Sequence, residues 1–292
     1  MDHPVSLPVF FTPRMVAASG SFSPSAAKPA QVVASWREHG LPIDLVEPTP
    51  VTVDQLARAH DRRHVEDILA CRAPNGFGNQ SPEVAASLPF TSGAMLSGAR
   101  HARAHRTITC APVSGFHHAS YRGAGAYCTF NGLMVTALAL HIEDGVGQIG
   151  ILDLDMHDGD GTEQIIKQLG AKRWIDHFTA GEHFMNRPDA AELLAHLPRR
   201  IRQMRVCDVV LYQAGADPHV DDPLGGFMTT DELRQRDEIV FETLDQLGIP
   251  VVWNLAGGYQ KASDGSIPAV LEIHANTARA ALAVLGRRTP AS

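Results

Sequence analysis

The chain of 292 residues is poor in several features that each mark a protein class. Its four cysteines, Cys71, Cys110, Cys128 and Cys207, lie far apart and form no C-x-x-C pair. That spacing excludes a disulfide framework and a zinc ribbon, and it reads as buried thiols in a reducing compartment. An excess of basic residues is also missing: 25 Lys and Arg stand against 32 Asp and Glu, for a net charge of −7. A nucleic-acid binder would carry a basic face, so no nucleic-acid partner is expected. No stretch approaches the ~18 uninterrupted apolar residues of a membrane span, so no membrane partner is expected either. The opening Met1-Asp2-His3-Pro4 has no basic segment leading into an apolar run, which argues against a secretory signal. These absences together point to a cytoplasmic protein.

What is present is a chain able to build a full core, with 44% hydrophobic residues. Strand-like runs rich in β-branched residues occur at 7–11, 107–111, 149–154, 173–178, 208–213 and 250–255. Helical patterns fall between them, near 83–105, 133–142, 163–169, 190–204, 231–247 and 267–285. A capping-box pattern at Thr52–Gln55 starts a further helix, read as continuing through His60 toward Leu69. Strands alternating with helices imply an α/β fold with a central, mostly parallel sheet covered on both faces. No linker or internal repeat divides the chain, so residues 1–292 read as a single domain.

The polar residues concentrate where these strands end. After 107–111 comes Ser114-Gly-Phe-His117-His118, and after 149–152 come Asp153, Asp155, His157, Asp158 and Asp160. Asp217, His219 and Asp222 follow 208–213, and Ala256-Gly-Gly-Tyr259 follows 250–255. In a parallel sheet all four loops emerge at the carboxyl edge, where ligands bind. Carboxylates packed as closely as those of 153–160 repel one another unless a cation sits among them. As an isolated feature such a cluster is equally well a solvated loop tip; four loops converging on one edge favour a site. Asp155 and His157, two apart beyond a strand end, can share a metal with Asp217 and leave a position open for water and substrate. The His117-His118 pair would move protons, with Asp153 and Asp160 orienting the imidazoles. Tyr259, on a Gly-Gly turn, can donate a hydrogen bond to a developing oxyanion. The combination suits metal-assisted amide hydrolysis.

The motifs Gly115-Phe-His-His-Ala119, Asp153-Leu-Asp-Met-His-Asp-Gly-Asp-Gly-Thr162, Gly215-Ala-Asp217 with Asp222-Pro-Leu-Gly225, and Gly257-Gly-Tyr259 give the chain its family resemblance. It resembles the zinc-dependent, histone-deacetylase-like amidohydrolases of the arginase/deacetylase superfamily. The resemblance implies one catalytic Zn2+ held by Asp155, His157 and Asp217. It also implies His118 as general base and acid, His117 as its electrostatic partner, Asp153 paired with His117, Asp160 paired with His118, and Tyr259 activating the scissile carbonyl. A structural K+ near Asp153 is implied as well. Phe116 and Tyr127 would wall an acyl-lysine tunnel, although both also suit an ordinary core. Gly257 and Leu224 belong with the substrate contacts, and Asn79 would sit on the rim unless its loop, 75–79, is a simple turn.

Three departures stand out. Asp158 replaces a second histidine common in relatives. The run before Tyr259 is shorter in glycine than usual. Leu224 stands where the polyamine-selective branch carries an acidic gatekeeper, which favours acylated lysine as substrate. His219 lies two residues past Asp217, but Gly159 stands where an arginase needs an aspartate, which weighs against a binuclear manganese site. His101 and His105, four apart on a helix, read as a solvated face. Acylated lysine peptides or small acylated amines are the expected partners, with an oligomer left open. An acetylpolyamine amidohydrolase and a non-catalytic acyl-binding module are the alternative readings.

Overall fold

The computed structural model describes residues 5–288, so the expectation drawn from Met1-Asp2-His3-Pro4 lies outside the described residues. The β-branched runs become β1 (Leu7–Phe10), β2 (Ile43–Val46), β3 (Ile108–Ala111), β4 (Ile149–Asp153), β5 (Ile175–Thr179), β6 (Val209–Gln213) and β7 (Val251–Asn254). They form one sheet in the order β2-β1-β3-β7-β6-β4-β5, and every pairing is parallel. The expected mostly parallel α/β sheet is thus entirely parallel. β2 is an addition: Ile-Asp-Leu-Val is short, and as an edge strand it is only partly buried.

Alternation along the strands divides the interior into two cores. Val210, Tyr212, Val251 and Trp253 face one way, while Val209, Leu211 and Val252 face the other. The first core is covered by α1 (Lys28–Glu38), α7 (Asp189–Gln203), α8 (Thr230–Gln246) and α9 (Pro268–Arg287). The second lies under α2 (Val53–Ala59), α3 (Arg62–Leu69), α4 (Pro82–His105), α5 (Gly132–Glu143) and α6 (Asp160–Gln168). Both cores therefore press on the same sheet, which leaves its carboxyl edge to the loops.

Strand register aligns that edge. Ala111 pairs with Asn254, Asn254 with Gln213, Gln213 with Asp153, and Asp153 with Thr179. This single row crosses five strands, and the loops bearing His117, Tyr259, Asp217 and Asp155 all leave from it.

The helix expected to run from Thr52 toward Leu69 is instead two helices. Thr52 and Gln55 do form the capping box of α2. His60 is extended, however, and Asp61 caps α3 by accepting from the Arg63 and His64 amides. The break serves the site loop. His60 Nδ1 donates to Ser120 O at 2.9 Å, and its Nε2 accepts from the Asn131 amide at 2.8 Å. Asn131 in turn caps α5 through Met134 N and donates to Ala119 O and Thr162 Oγ1. Thr162 is thus buried within α6, and Gly159 holds that helix's cap position.

His60 can keep both bonds only as a neutral imidazole, and burial lowers its pKa from 6.5 to about 4. The unfolded chain therefore binds the extra proton between those values. Stability is complete above pH 6.5 and falls by about 1.4 kcal/mol per pH unit toward pH 4. Urea unfolding at pH 7, 6 and 5 should show this acid limb, and His60→Gln should flatten it relative to wild type.

Candidate active site

Two carboxylates lie at the centre of the carboxyl edge. Asp155 is 3% exposed and Asp217 fully buried, and His157 Nδ1 sits 3.2 Å from Asp155 Oδ1 and 3.0 Å from Asp217 Oδ2. One ligand atom from each of the three residues lies within 4.8 Å of the others, and among the described residues no second such group occurs. Burial and the neighbouring Asp155 push Asp217 up to about 7. Burial opposes the charge on Asp155 too, but His117 and His157 hold it well below the carboxylate range. Hydrogen bonds to the two carboxylates raise His157 to about 11. The cluster concentrates two buried carboxylates around one imidazole, a place a cation would suit. One imidazole nitrogen and two carboxylates form the hard and borderline donor set that suits a divalent zinc ion. The residues fit the metal.

The two histidines are differently placed. His117 Nδ1 lies 2.8 Å from Asp153 Oδ2, and both groups are buried. His118 Nδ1 lies 2.8 Å from Asp160 Oδ1, with the histidine half-buried and the aspartate exposed. The rings are 4.1 Å apart between centroids, and His118 lies 5.8 Å from the His157 ring. Burial disfavours the charged form of His117, but Asp153 and Asp155 overcome it and raise the pKa to about 9. His118 is lowered by burial and by the charge of His117. Both pairings expected from the sequence are formed.

Backbone contacts fix the cluster. The Gly257 amide donates to Asp155 Oδ2 at 2.8 Å, and a Cβ there would lie only 2.1 Å from Asp217 Oδ2. Gly257, expected among the substrate contacts, packs against the carboxylates of Asp155 and Asp217. Asp222 accepts from the Tyr259 amide at 2.8 Å and the Leu224 amide at 3.0 Å, which holds the tyrosine's loop against the Asp217 loop. Burial raises the Tyr259 phenol well above its usual range, so it stays protonated as a donor. No hydrogen bond from its hydroxyl occurs among the described residues, and its ring lies 5.5 Å from Tyr127.

Two residues that supply much of this support were not singled out in the sequence. Lys28 is fully buried and donates to Ala256 O at 2.7 Å and Gly257 O at 2.9 Å. Arg236, also fully buried, donates to Leu154 O at 3.1 Å and Gly215 O at 2.8 Å while pairing with Asp237. Each carried a faint signal. Lys28 places a cation at a helix N-terminus, where the helix dipole disfavours it. Arg236 and Asp237 stand on the same buried stripe as Leu233 and Val240.

The remaining candidates separate. Phe116 is buried against Gly132 with φ 103°, a conformation rarely adopted by a residue with a side chain. Phe116 and Tyr127 both line one cavity with Phe77 and Phe130. Leu224 is 40% exposed. Asn79 is occupied within its own loop: its amide donates to Ser19 O at 2.7 Å and accepts from Asn75 and Ser81. The turn reading of 75–79 therefore describes Asn79 better than a rim contact. Asp158 is exposed and shares a cavity with Glu163, Lys172, His177 and His183. His219 is consumed by Thr230, Gln260 and the Asp221 amide, so it offers no metal ligand. His101 and His105 stack at 4.2 Å, with His101 edge-on to Phe10.

An all-parallel α/β sheet with such a cluster at its carboxyl edge is the architecture of the arginase/deacetylase superfamily. Within it, the chain belongs to the family described as "Histone deacetylase domain", whose model matches residues 24–192 and 182–273. It is similar to an uncharacterized protein of Picosynechococcus sp., at 28% identity over 170 residues, 53% of this chain and 57% of that one. It is also similar to acetylpolyamine amidohydrolase 2 of Pseudomonas aeruginosa, at 27% identity over 172 residues, 49% of this chain and 48% of that one. The chain thus spans about half the length of these curated relatives. The fold matches the crystal structure of the HDA15 HD domain with a TM-score of 0.76 and 20% identity, over 96% of this chain and 91% of that one.

Zinc added to chelator-treated protein should raise its unfolding free energy by about 2.7 kcal/mol at a hundredfold excess over Kd, read by thermal shift. Gly257→Ala should abolish that gain, because its Cβ displaces the Asp217 carboxylate.

Proposed function

We propose that this protein is a zinc-dependent amidohydrolase that removes acyl groups from lysine side chains or related small acylated amines. The observation that carries this reading is the convergence of the Asp155–His157–Asp217 cluster with two separately oriented histidines. When bound by those three residues, zinc supplies Lewis acidity, acidifying a water molecule and polarising the acyl carbonyl.

The protein's own groups do the rest. His118, whose charged form is disfavoured, is free to take a proton from the attacking water. Asp160 holds its imidazole in the tautomer that leaves Nε2 available. Water oxygen adds to the acyl carbon, the C–N bond breaks, and His118 returns the proton to the departing amine; the carboxylic acid formed then gives up its own proton, leaving a carboxylate and an ammonium. His117 stays protonated beside Asp153 and supplies positive charge to the reacting centre. The Tyr259 phenol donates to the carbonyl oxygen as it gains negative charge. Tyr127, whose ring lies beside that of Tyr259, and Phe116 share one cavity, which would receive the acyl group.

The K+ implied near Asp153 has weaker support. Both Asp153 oxygens already accept protein hydrogen bonds, from His117, Gln213 and the Asp155 amide. A cytoplasmic setting suits four free cysteines; among the described residues no helix is long and apolar enough to cross a membrane. The acetylpolyamine reading keeps the support of the Pseudomonas relative. Leu224, an apolar residue on the turn that Asp222 anchors, weighs toward acylated lysine.

Hydrolysis of an acetyl-lysine reporter should vanish on chelation and return with zinc. Tyr259→Phe should lower kcat about 100-fold, and His118→Ala at least about 100-fold, with zinc content unchanged in both. Undiminished turnover in either variant would sink the assigned roles.

A further inference from the structure

An open cavity of about 410 Å3 lies against Tyr259, and its wall carries one acid, Asp221, and one base, Lys261, together with Phe22, Pro223 and Gln260. Asp221 and Lys261 form no ion pair with each other, and Lys261 has no acidic partner among the described residues. The Lys261 ammonium instead lies 4.9 Å from the centre of the Phe22 ring and caps the Phe22 carbonyl, which leaves it further protons to donate. Asp221 is similarly free. Its one charged neighbour would be His219, 3.9 Å away. But His219 Nδ1 accepts from Gln260 Nε2 at 2.8 Å and from the Asp221 amide at 3.2 Å, so it carries a lone pair on that side. The carboxylate is 79% exposed and uncompensated.

Two opposite charges held apart on the wall of one mouth match a ligand that carries both signs. A peptide backbone has neither charge at the residue entering the site. An acylated polyamine has only positive charge, which Asp221 would attract and Lys261 repel. A free amino acid presents an ammonium and a carboxylate on one carbon. We infer that the Asp221–Lys261 mouth selects zwitterionic Nε-acyl-lysine or a close homologue as substrate, with Asp221 receiving the α-ammonium and Lys261 the α-carboxylate. The inference rests on the amidohydrolase reading, in which Tyr259, on the wall of this cavity, activates the carbonyl. Exposed Phe22 would lie along the methylene stem, since it is 51% exposed at the cavity wall.

Four carriers of one acetyl group test it: free Nε-acetyl-L-lysine, its Nα-blocked form, its α-amide and acetylputrescine. The free amino acid should show the highest kcat/KM, and each blocked charge should lower it about fivefold, the scale of an exposed ion pair, through KM. Asp221→Asn should erase the preference for a free α-ammonium, and Lys261→Met the preference for a free α-carboxylate. Equal rates on all carriers, a peptide-like or polyamine preference, or preferences that survive both substitutions would overturn the assignment. Calorimetric binding of the same four compounds is read independently of turnover. A protein that hydrolyses none of them yet binds the zwitterion most tightly, in an Asp221-dependent way, retains the mouth and loses the amidohydrolase. A protein that hydrolyses the reporter but binds all four alike loses the mouth and keeps the hydrolase.

Discussion

Two buried carboxylates facing each other are the constraint on which the rest of the molecule turns. Asp155 and Asp217 arrive from different strands, and neither can be desolvated beside the other without compensating charge. His157 lies between them, His117 stands behind Asp155, and Lys28 and Arg236 are buried beneath their loops. The arrangement is costly for a fold that needed only stability. It suits a centre able to hold a metal ion. The same electrostatics sets the histidines apart, since His117 gains charge from Asp153 and Asp155 whereas His118, closer to solvent, is pushed toward neutrality by its neighbour.

Rigid placement of these charges comes from the main chain more than from side-chain packing. Lys28 and Arg236 spend their donors on carbonyls of residues 154, 215, 256 and 257, the segments that carry the ligands and Tyr259. The helix-side network of His60, Asn131 and Thr162 does the same for the loop bearing the histidine pair. Thr162 N also donates to His117 O, which ties the start of α6 to that loop. Each catalytic candidate is thus anchored through its neighbours' backbone, and its side chain is left free for chemistry.

Much of this was legible in the residues. β4, β6 and β7 declare themselves as β-branched runs because both faces of a central strand are buried, and the polar residues just past their ends mark the carboxyl edge. The metal-ligand candidates follow from that placement, and the particular aspartate–histidine pairs from the family resemblance. β2 escaped notice because an edge strand with an aspartate at its second position lacks such a run. The break between α2 and α3 escaped because His60 fits a helical stripe, and only its bonds to Ser120 and Asn131 pull it out of helical geometry. Lys28 and Arg236 were missed for a different reason: their partners are carbonyls far away in the chain, and a carbonyl has no letter in a sequence. Asn79 misled in the opposite direction, since a polar residue in a loop near a site looks like a contact when its donors are already spent locally.

The bond from Lys28 to Ala256 joins positions 228 residues apart. A nascent chain leaving the ribosome has its first metal ligand long before it has the loop that Lys28 must hold. Non-local contacts of this span form late, after their loop-closure entropy has been met by the strands between. The centre therefore matures last, when β7 enters between β3 and β6 and the two ends of the sheet become one. An incompletely synthesised or clipped chain therefore carries the acids and histidines but not their assembled arrangement.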